Sequence, residues 1–476
     1  LRAALARPAW ACCCLGLSLA FRVNRLLGRL ISIYLTAAVP ILVYWSCRRL
    51  KLTLGMTEDQ SQELLYDTAD AIMAPFITNR FLTLGGLFVK MGQWAANMAY
   101  GVPVRLQEQL KRLVDCAPQD SPAHVRSLLE AEFGKPMEEL FEWFDYTPIA
   151  SASIGQVHRA AVRGGRGENI AVKLQHEGIE PLMLADLKAL SRIVRFCCWL
   201  GGDEWKDLER MFKCWAGDMV YELDFAHEVQ NLKEVTAGLE AAGIDVVVPR
   251  AIEGWVTRRA FAMTFCEGFR FVDADRLALH GVDRKALGAR ALHSTACQLL
   301  EIGIFNSDPH SGNLLCQVRG TSAVPVLLDF GNCIRLPEAQ RLGYCQLLMA
   351  LSEMSVTRTR EALDAIGLVT TQSGSHPERD LEFMLVMFRD TSSREQQDKE
   401  KDEFFALRKQ QRKQDYDALG AKTKAQQKKV KNQVKRYPVH VPDEFILFIR
   451  MMHLVRGLCT QLDAELPFMQ IFGGHA

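Results

Sequence analysis

The chain has 476 residues, of which 49% are hydrophobic and 24% charged, and its formal net charge is +1. This length allows roughly two to four domain-sized units with a sizeable core, and a nearly neutral chain has no global attraction for nucleic acid or acidic partners. None of the fourteen cysteines forms a Cys-x-x-Cys pair, which excludes zinc and redox motifs of that spacing and is typical of a reduced, intracellular compartment.

The first 56 residues differ in character from the rest of the chain. No acidic residue precedes Glu58, whereas eight basic residues interrupt apolar stretches. Arg-rich, acid-poor sequence is typical of a mitochondrial or, alternatively, a plastid transit segment. Residues 30–47 carry no charge, a run just long enough to cross a bilayer, although Pro40 lies in its middle. We predict a membrane-spanning or membrane-lying helix, with a cleaved targeting segment or a buried helix as the alternative.

Residues 57–145 read as a helical extension. One helical face is apolar and is formed by Leu87, Met91, Trp94 and Met98. Lys90 and Gln93 fall on another face, and such a polar face is by itself usually solvated. Gly92 inside this helix costs about 1 kcal/mol relative to Ala, which predicts a close approach by another group.

A loop and a strand that would contact phosphates come next. Residues 170–173, Ile-Ala-Val-Lys, match the strand that presents a lysine, here Lys173, to the α- and β-phosphates of a nucleotide. Ahead of them, where kinases have Gly-x-Gly-x-x-Gly, residues 150–156 read Ala-Ser-Ala-Ser-Ile-Gly-Gln. Their Cβ atoms limit backbone approach to phosphate, while the serine hydroxyls add donors. The candidate nucleotide-binding residues in this loop are Ala150, Ser151, Ala152 and Ser153.

The sequence predicts a single helix over residues 205–239, which carries three acidic residues that are candidate partners for the lysines. Asp224 and Glu228 share a face of that helix, whereas Glu222 lies well away from both, since two residues turn the helix by roughly 200°. The strand-like segments 246–249 and 260–265 follow and lead to Cys266. In a kinase fold this is the hinge that binds adenine, with Met263 at the back of the pocket. A strand pair that only packs the small lobe is the alternative.

The two most informative stretches are Ser-Asp-Pro-His-Ser-Gly-Asn at 307–313 and Asp-Phe-Gly at 329–331. In a kinase-type site the first Asp orients the attacking hydroxyl, the Asn holds one metal ion, and the Asp of Asp-Phe-Gly holds the other. Asp308, Asn313 and Asp329 occur in that order, and the sequence between them predicts two short strands joined by a glycine-containing turn. We therefore predict a site for Mg²⁺ and ATP or ADP, with Asp308 and Lys173 catalytic and Asn313 and Asp329 as metal ligands.

The remainder of the chain reads as a helical lobe with one unusual segment. Residues 389–436 are dense in charged and amide side chains, and 421–436 contain seven basic residues and no acidic one. Such a run is usually a solvated helix or a disordered insertion, with contact to anionic lipid as the alternative. The chain contains no Gly-x-x-x-x-Gly-Lys-Ser/Thr, Gly-x-Ser-x-Gly or His-Glu-x-x-His, which removes support for P-loop, serine-hydrolase and zincin classes.

Four of these motifs together resemble the ABC1 (UbiB, or aarF-domain) atypical kinase family. They are the Ala/Ser loop, Lys-Met-Gly-Gln at 90–93, Glu-Leu-Asp at 222–224, and the Asp-Pro-His-x-Gly-Asn form of the catalytic loop. The resemblance runs from about residue 84 to residue 336, with an echo at 445–462. The chain departs from the family pattern at Asn306, which is often His, at Ser311, often Pro, and at Thr264, usually an acid.

The resemblance implies that the helix carrying Lys90 and Gln93 folds over the nucleotide cleft, where a conventional kinase binds its protein substrate. A buried lysine there needs an acidic partner. We expect Glu222 and Asp224 to face that helix, in a regulatory role with Lys90 and Gln93. We expect Glu228 to form the ion pair with Lys173 that positions the phosphates.

The expected fold is α+β: a two-lobed, protein-kinase-like fold with an N-terminal helical extension and a mostly helical C-terminal lobe. The expected domains are a transit or membrane-associating segment (1–56), the helical extension (57–145), a small lobe with a helical insertion (146–268) and a large lobe (269–476). The expected function is an atypical kinase or ATPase, membrane-associated in a mitochondrion. The resemblance implies a lipid or isoprenoid-quinone (coenzyme Q) substrate. The alternative is a catalytically weak pseudokinase that serves as a scaffold.

Overall fold

The computed structural model describes residues 25–96, 102–110, 112–113, 119–165, 167–201, 206–320, 322–370, 373–388, 394–423, 426–427, 430, 434 and 438–476. Met98 of the predicted apolar face lies outside these residues. Helices dominate: α1 (Arg25–Thr53), α2 (Glu58–Ser61), α3 (Asp67–Leu84), α4 (Leu87–Ala96), α5 (Val104–Leu110), α6 (Pro122–Phe133), α7 (Met137–Leu140), α8 (Ile179–Gly201), α9 (Lys206–Tyr221), α10 (Phe225–Ala241), α11 (Ala274–Leu279), α12 (Arg284–Cys297), α13 (Glu338–Ser352), α14 (Val356–Ile366), α15 (Glu378–Phe388), α16 (Arg394–Ala418), α17 (Asp443–Gln461) and α18 (Phe468–Gly473).

Short strands complete the α+β architecture, most of them in antiparallel pairs. They are β1 (Phe141–Phe144), β2 (Ala150–Ser151), β3 (Gly155–Val162), β4 (Asn169–Gln175), β5 (Ala251–Val256), β6 (Ala260–Thr264), β7 (Phe269–Arg270), β8 (Ile304–Asn306), β9 (Leu314–Arg319), β10 (Ser322–Leu327), β11 (Cys333–Arg335), β12 (Val369–Thr370) and β13 (Pro438–His440).

The chain divides into two compact units, of which unit 1 comprises Leu1–Asp224 and Thr257–Ala262. Its sheet has the order β1-β3-β4-β6, with β2 paired to β3. The β3–β4 hairpin is paired from Gly155 opposite Gln175 to Ala161 opposite Asn169. Strand β4 is buried on both faces, with Ile170, Val172 and Leu174 on one face and Ala171 and Gln175 on the other.

The predicted N-terminal helix is present as α1, which packs against α3 and α8. Residues 26–53 are long and apolar enough to cross a membrane by length and composition, with 17% of the most apolar window buried. Polar contacts nevertheless hold α1 to its neighbours. Arg29 pairs with the buried Asp186 at 2.6 Å, Arg80 donates to Thr36 at 3.0 Å, and Tyr44 bonds Asp70 at 2.5 Å.

The predicted close approach at Gly92 is observed. A Cβ atom at this position would lie 2.1 Å from Leu113 Cδ1 and 3.0 Å from Phe81 Cδ2. The same surroundings form a small apolar cluster of Val89, Ala96, Leu110 and Leu113. Glycine therefore lets α4 approach its neighbours closely enough to close this cluster.

Unit 2 comprises Phe225–Val256 and Met263–Ala476. Its large core is built from α11–α15, α17, α18 and strands β7–β10. A second cluster lies beside it and joins α10, α12 and β8 through Leu232, Cys297, Ile304 and Phe330. In the charged segment 389–436, the described residues include the 25-residue helix α16, which fits the predicted solvated helix.

Two predicted elements are wrong. The single helix expected over 205–239 is broken: α9 ends at Tyr221, turns occupy Glu222 and Leu223, and α10 begins at Phe225. In a continuous helix the carbonyl of Leu223 would accept the N–H four residues on, whereas here it accepts a hydrogen bond from Gln175 Nε2 at 2.8 Å. The segment 246–249 is not a strand, since only Val247 forms an isolated bridge, with Val326.

Candidate functional site

Unit 2 places Asp308 in a loop that begins at the end of β8 and closes with a 3₁₀ turn at Ser311–Asn313. Asn306 organises this loop. Its Oδ1 accepts the N–H of Asp308 at 2.8 Å, and its Nδ2 donates to the carbonyl of Asp329 at 2.9 Å. One side chain therefore joins the two predicted catalytic segments. Sequence reasoning marked Asn306 only as a departure from the family's His, and missed this role.

The β9–β10 hairpin brings Asn313 and Asp329 to the same end of two paired strands. Leu314 is opposite Leu327, and the N–H of Leu328 donates to the carbonyl of Asn313 at 3.0 Å. Asp329 follows immediately, and its Oδ1 accepts the N–H of Gly331 at 2.8 Å. The hairpin that was predicted from the sequence thus positions both predicted metal ligands.

Glu228 lies next to the Asp-Phe-Gly segment, within unit 2. A Cβ at Gly331 would be 3.2 Å from Asp329 Oδ1 and 3.7 Å from Glu228 Oε2, so both carboxylates approach the same backbone position. Glu228 is only 5% exposed. Together with burial, these two carboxylates raise the pKa of the neighbouring Cys333 thiol. Two carboxylates that approach one backbone position are the kind of oxygen donor that a divalent cation takes as a ligand.

The oxygen donors fit a magnesium ion, which prefers carboxylate and amide oxygens and phosphate over nitrogen or sulfur. Asn313 and Asp329 supply such oxygens at the end of the hairpin, and Glu228 adds a third nearby. Lys173 belongs to unit 1, whereas Glu228 belongs to unit 2. The ion pair expected between them therefore stays a prediction.

Asp308 has a partner that the sequence did not reveal. Arg450 on α17 donates from Nη2 to Asp308 Oδ2 at 2.7 Å, and the two side chains are 16% and 23% exposed. Arg450 lies in the segment that echoed the family pattern. The guanidinium occupies one of the two oxygens with which Asp308 would accept a proton.

In unit 1 the Ala/Ser loop is a tight turn between β2 and β3. The N–H of Ala152 donates to the carbonyl of Gly155 at 2.9 Å. His176 supports the loop, with Nε2 at 2.8 Å from the carbonyl of Ala152 and Nδ1 at 2.7 Å from Asp120. Neither Asp120 nor His176 was predicted as a site residue, although His176 follows Lys173 by only three residues in the sequence.

The loop serines fit the predicted phosphate contacts. The Oγ atoms of Ser151 and Ser153 are buried and make no hydrogen bond to any described residue. Buried hydroxyls in native proteins are almost always hydrogen-bonded. Two such donors in the loop expected to cover the phosphates therefore fit an anionic ligand, while the exposed Ala150 contributes only backbone.

Lys173 lies in β4 opposite Val157, and its Nζ is 6.0 Å from the ring centroid of Phe261.

The predicted hinge begins at Met263, whose side chain is buried, with 7% of its surface exposed. The hydroxyl of Thr264 accepts the N–H of Arg250 at 2.9 Å. Thr264 thus bonds neighbouring backbone where the family usually has an acid.

Cys266 is half-buried, and burial raises the pKa of its thiol. Its side chain makes a weak contact with the carbonyl of Thr264.

The structure brings Lys90 and Glu222 together as an ion pair, with side chains 19% and 7% exposed. Gln93 donates from Nε2 to the carbonyl of Leu113 at 3.3 Å. Asp224 lies half-buried just before α10.

Comparison with known proteins agrees with this geometry. The model of the ABC1 atypical kinase-like domain matches residues 112–363, just over half of the chain. "Protein ACTIVITY OF BC1 COMPLEX KINASE 7, chloroplastic" from Arabidopsis thaliana is 25% identical over 89% of this chain and 56% of its own length. "AarF domain-containing protein kinase 1" from Mus musculus is 31% identical over 56% of this chain and 50% of its own length. The chain spans about half the length of these relatives.

Among solved structures, the Mycobacterium tuberculosis protein Rv3197, determined with erythromycin, is similar to 87% of this chain and 97% of its own. The TM-score is 0.54 at 19% sequence identity. At that identity the similarity concerns the fold.

Proposed function

Because this chain belongs to the ABC1 atypical kinase-like family, we propose that it binds a magnesium nucleotide and hydrolyses it or transfers its terminal phosphate. The observation that carries the proposal is the double hydrogen bond of Asn306, which ties the Asp308 loop to Asp329. These two hydrogen bonds hold together two motifs that are far apart in the sequence. The two buried, unbonded loop serines support a phosphate-binding role in unit 1.

The residues have distinct roles in this proposal. Asn313 and Asp329 hold Mg²⁺, which when bound neutralises charge on the phosphates. Asp308 orients the attacking hydroxyl or water and accepts its proton. Lys173 contacts the α- and β-phosphates, with Glu228 as its partner.

In the nucleotide-binding part of the proposal, the loop Ala150, Ser151, Ala152 and Ser153 covers the phosphates. The hinge from Met263 to Cys266 lies beside the adenine.

The experiment compares three aspartate variants of the full chain. Asp329→Asn is expected to lose thermal stabilisation by Mg-ATP, which for the parent amounts to about 2.7 kcal/mol at a ligand concentration 100 times Kd. Asp308→Asn is expected to keep that stabilisation and lose ATP turnover. Asp364→Asn, on the exposed surface of α14 and bonded to Arg360, is the matched control.

Two outcomes would contradict the proposal. Undiminished stabilisation of Asp329→Asn by Mg-ATP would remove the metal assignment. Equal turnover with and without Asp308 would favour the pseudokinase scaffold over an enzyme.

The Lys90–Glu222 pair supports a restricted substrate range. With Gln93 and Asp224, it would fasten α4 where a peptide substrate would otherwise bind, so the expected activity is slow ATP hydrolysis or phosphorylation of a small lipid or isoprenoid molecule. Robust phosphorylation of a generic protein substrate would contradict this. A role linked to quinone metabolism rests on family resemblance alone.

We further propose membrane association through α1, lying in the interface rather than crossing the bilayer. Its exposed face carries large apolar side chains, among them Leu35, Leu42, Trp45 and Leu52. The opposite face is bonded to Asp70, Arg80 and Asp186, charged residues that a spanning helix would bring towards the bilayer core at several kcal/mol each.

The organelle remains a prediction: mitochondrion, with plastid as the alternative. The names of several relatives include the word chloroplastic. Cell fractionation with organelle markers would decide between the two.

A further inference from the structure

In unit 2, three side chains that commonly ligate metals lie close together, and a fourth, His293, bonds one of them. His293, Cys297 and Glu301 are spaced four residues apart along α12 and the π-helical turn Gln298–Ile302 that continues it. His475, just beyond α18, completes the group. One ligand atom from each of Cys297, Glu301 and His475 lies within 4.8 Å of the others.

Hydrogen bonds already order the two imidazoles. His293 Nδ1 is 2.9 Å from His475 Nε2, and His475 Nδ1 bonds the carboxylate of Glu301. A hydrogen bond to one ring nitrogen is how proteins orient a histidine that ligates a metal through the other nitrogen, and His293 gives His475 such a bond at Nε2. The π-helical turn matters as well, since such turns occur often at functional sites.

The donor set has a clear chemical preference. One thiolate, one or two imidazoles and a carboxylate are the ligands of tetrahedral Zn²⁺, whereas Mg²⁺ and Ca²⁺ take oxygen ligands. With zinc–nitrogen and zinc–oxygen bonds of about 2.0–2.2 Å and a zinc–sulfur bond of about 2.3 Å, two ligands at a tetrahedral angle lie about 3.3–3.6 Å apart. The ligand atoms of Cys297, Glu301 and His475 lie within 4.8 Å of one another, so metal binding requires shifts of roughly 1 Å.

We propose that Cys297, Glu301 and His475 bind a divalent cation of the zinc class, His475 through the ring nitrogen beside Glu301, with His293 bonded to the other nitrogen of that ring. The site is separate from the magnesium site proposed above. A hydrogen-bonded His–Glu pair accounts for two of these side chains but leaves the position of the Cys297 thiol beside them unexplained.

The cation would stabilise the π-helical turn that supports the catalytic loop. Gln298, in the turn that the cation would hold, accepts the N–H of Asn306 at 3.2 Å. Cys297 is fully buried in the same apolar cluster as Phe330 of the Asp-Phe-Gly segment. Occupancy at this site would therefore raise the thermal stability of unit 2 even without nucleotide.

The test uses the full chain, freed of metal and of any purification tag, with Zn²⁺ and Co²⁺ as probes. The parent is expected to bind a single equivalent of Zn²⁺ and to give, with Co²⁺, the visible bands of tetrahedral cobalt and a thiolate-to-cobalt charge-transfer band. Cys297→Ser is expected to lose the charge-transfer band. His475→Ala is expected to weaken Zn²⁺ binding by about 100-fold or more.

Matched controls separate the site from general surface binding. Cys345→Ser removes another buried cysteine of unit 2, and His376→Ala removes a histidine that also bonds a glutamate, Glu378, on the surface. Both controls are expected to bind like the parent. If Cys297→Ser fails to fold, His475→Ala decides. Absence of Zn²⁺ binding by the parent, or equal binding by His475→Ala and the parent, would overturn the proposal.

Discussion

Replacement of Asn306 by alanine tests the link between the catalytic loop and the Asp-Phe-Gly segment most directly. The substitution removes the bonds to the N–H of Asp308 and the carbonyl of Asp329. Each such hydrogen bond contributes about 1 kcal/mol net, so the expected loss in the free energy of unfolding is about 2 kcal/mol. For a unit of this size that loss lowers Tm by about 4–8 °C. Because both catalytic segments are released, Mg-ATP affinity should also fall by about tenfold or more.

Thermal unfolding without nucleotide measures the first effect, and calorimetric titration with Mg-ATP measures the second. Gln317→Ala is the control, since it removes two exposed hydrogen bonds, one to the carbonyl of Glu267 and one from Arg319, and should change neither quantity appreciably. Asn306→His should lose less than Asn306→Ala, because an imidazole can replace part of the hydrogen bonding. If Asn306→Ala keeps the parent Tm and the parent affinity for Mg-ATP, the side chain does not hold the two segments together and the reasoning is refuted.

Two further predictions concern packing and catalysis. Gly92→Val should lower the free energy of unfolding in urea by about 1–3 kcal/mol, because its Cβ would overlap Leu113. Gly457→Ala, with open space around the Cβ, should not lower it. If Gly92→Val is as stable as the parent, α4 is not closely packed at this position. Arg450→Ala should raise kcat for ATP about two- to fivefold with little change in KM, because Asp308 loses a partly exposed ion pair. A lower kcat would show instead that Arg450 orients Asp308.

Local sequence patterns explain why many elements of this structure could be predicted from the sequence. The β-strand composition of its neighbours predicted the strand that carries Lys173. Two short apolar segments joined by a glycine-containing turn predicted the hairpin between Asn313 and Asp329. Both signals depend on residues adjacent in the chain. The apolar spacing and Gly92 likewise predicted a tightly packed helix, although they did not identify Leu113 as the contact.

The missed features depend on contacts between residues far apart in the chain. No glycine or proline occurs between the end of α9 and the start of α10. At this break Gln175, far away in the sequence, donates a hydrogen bond to the carbonyl of Leu223. The helix geometry assumed for the acidic residues was therefore wrong, even though Glu222 does meet Lys90.

The sequence by itself determined the family, the order of the catalytic motifs and the strands and helices that carry them, since these are set by local composition and spacing. Only the tertiary structure decided which side chains meet: Arg450 with Asp308, Glu228 beside Gly331, and Cys297 beside His475. The physical reason is that a helix or strand fixes the direction of its own side chains, whereas the partner is chosen by how distant segments pack against one another.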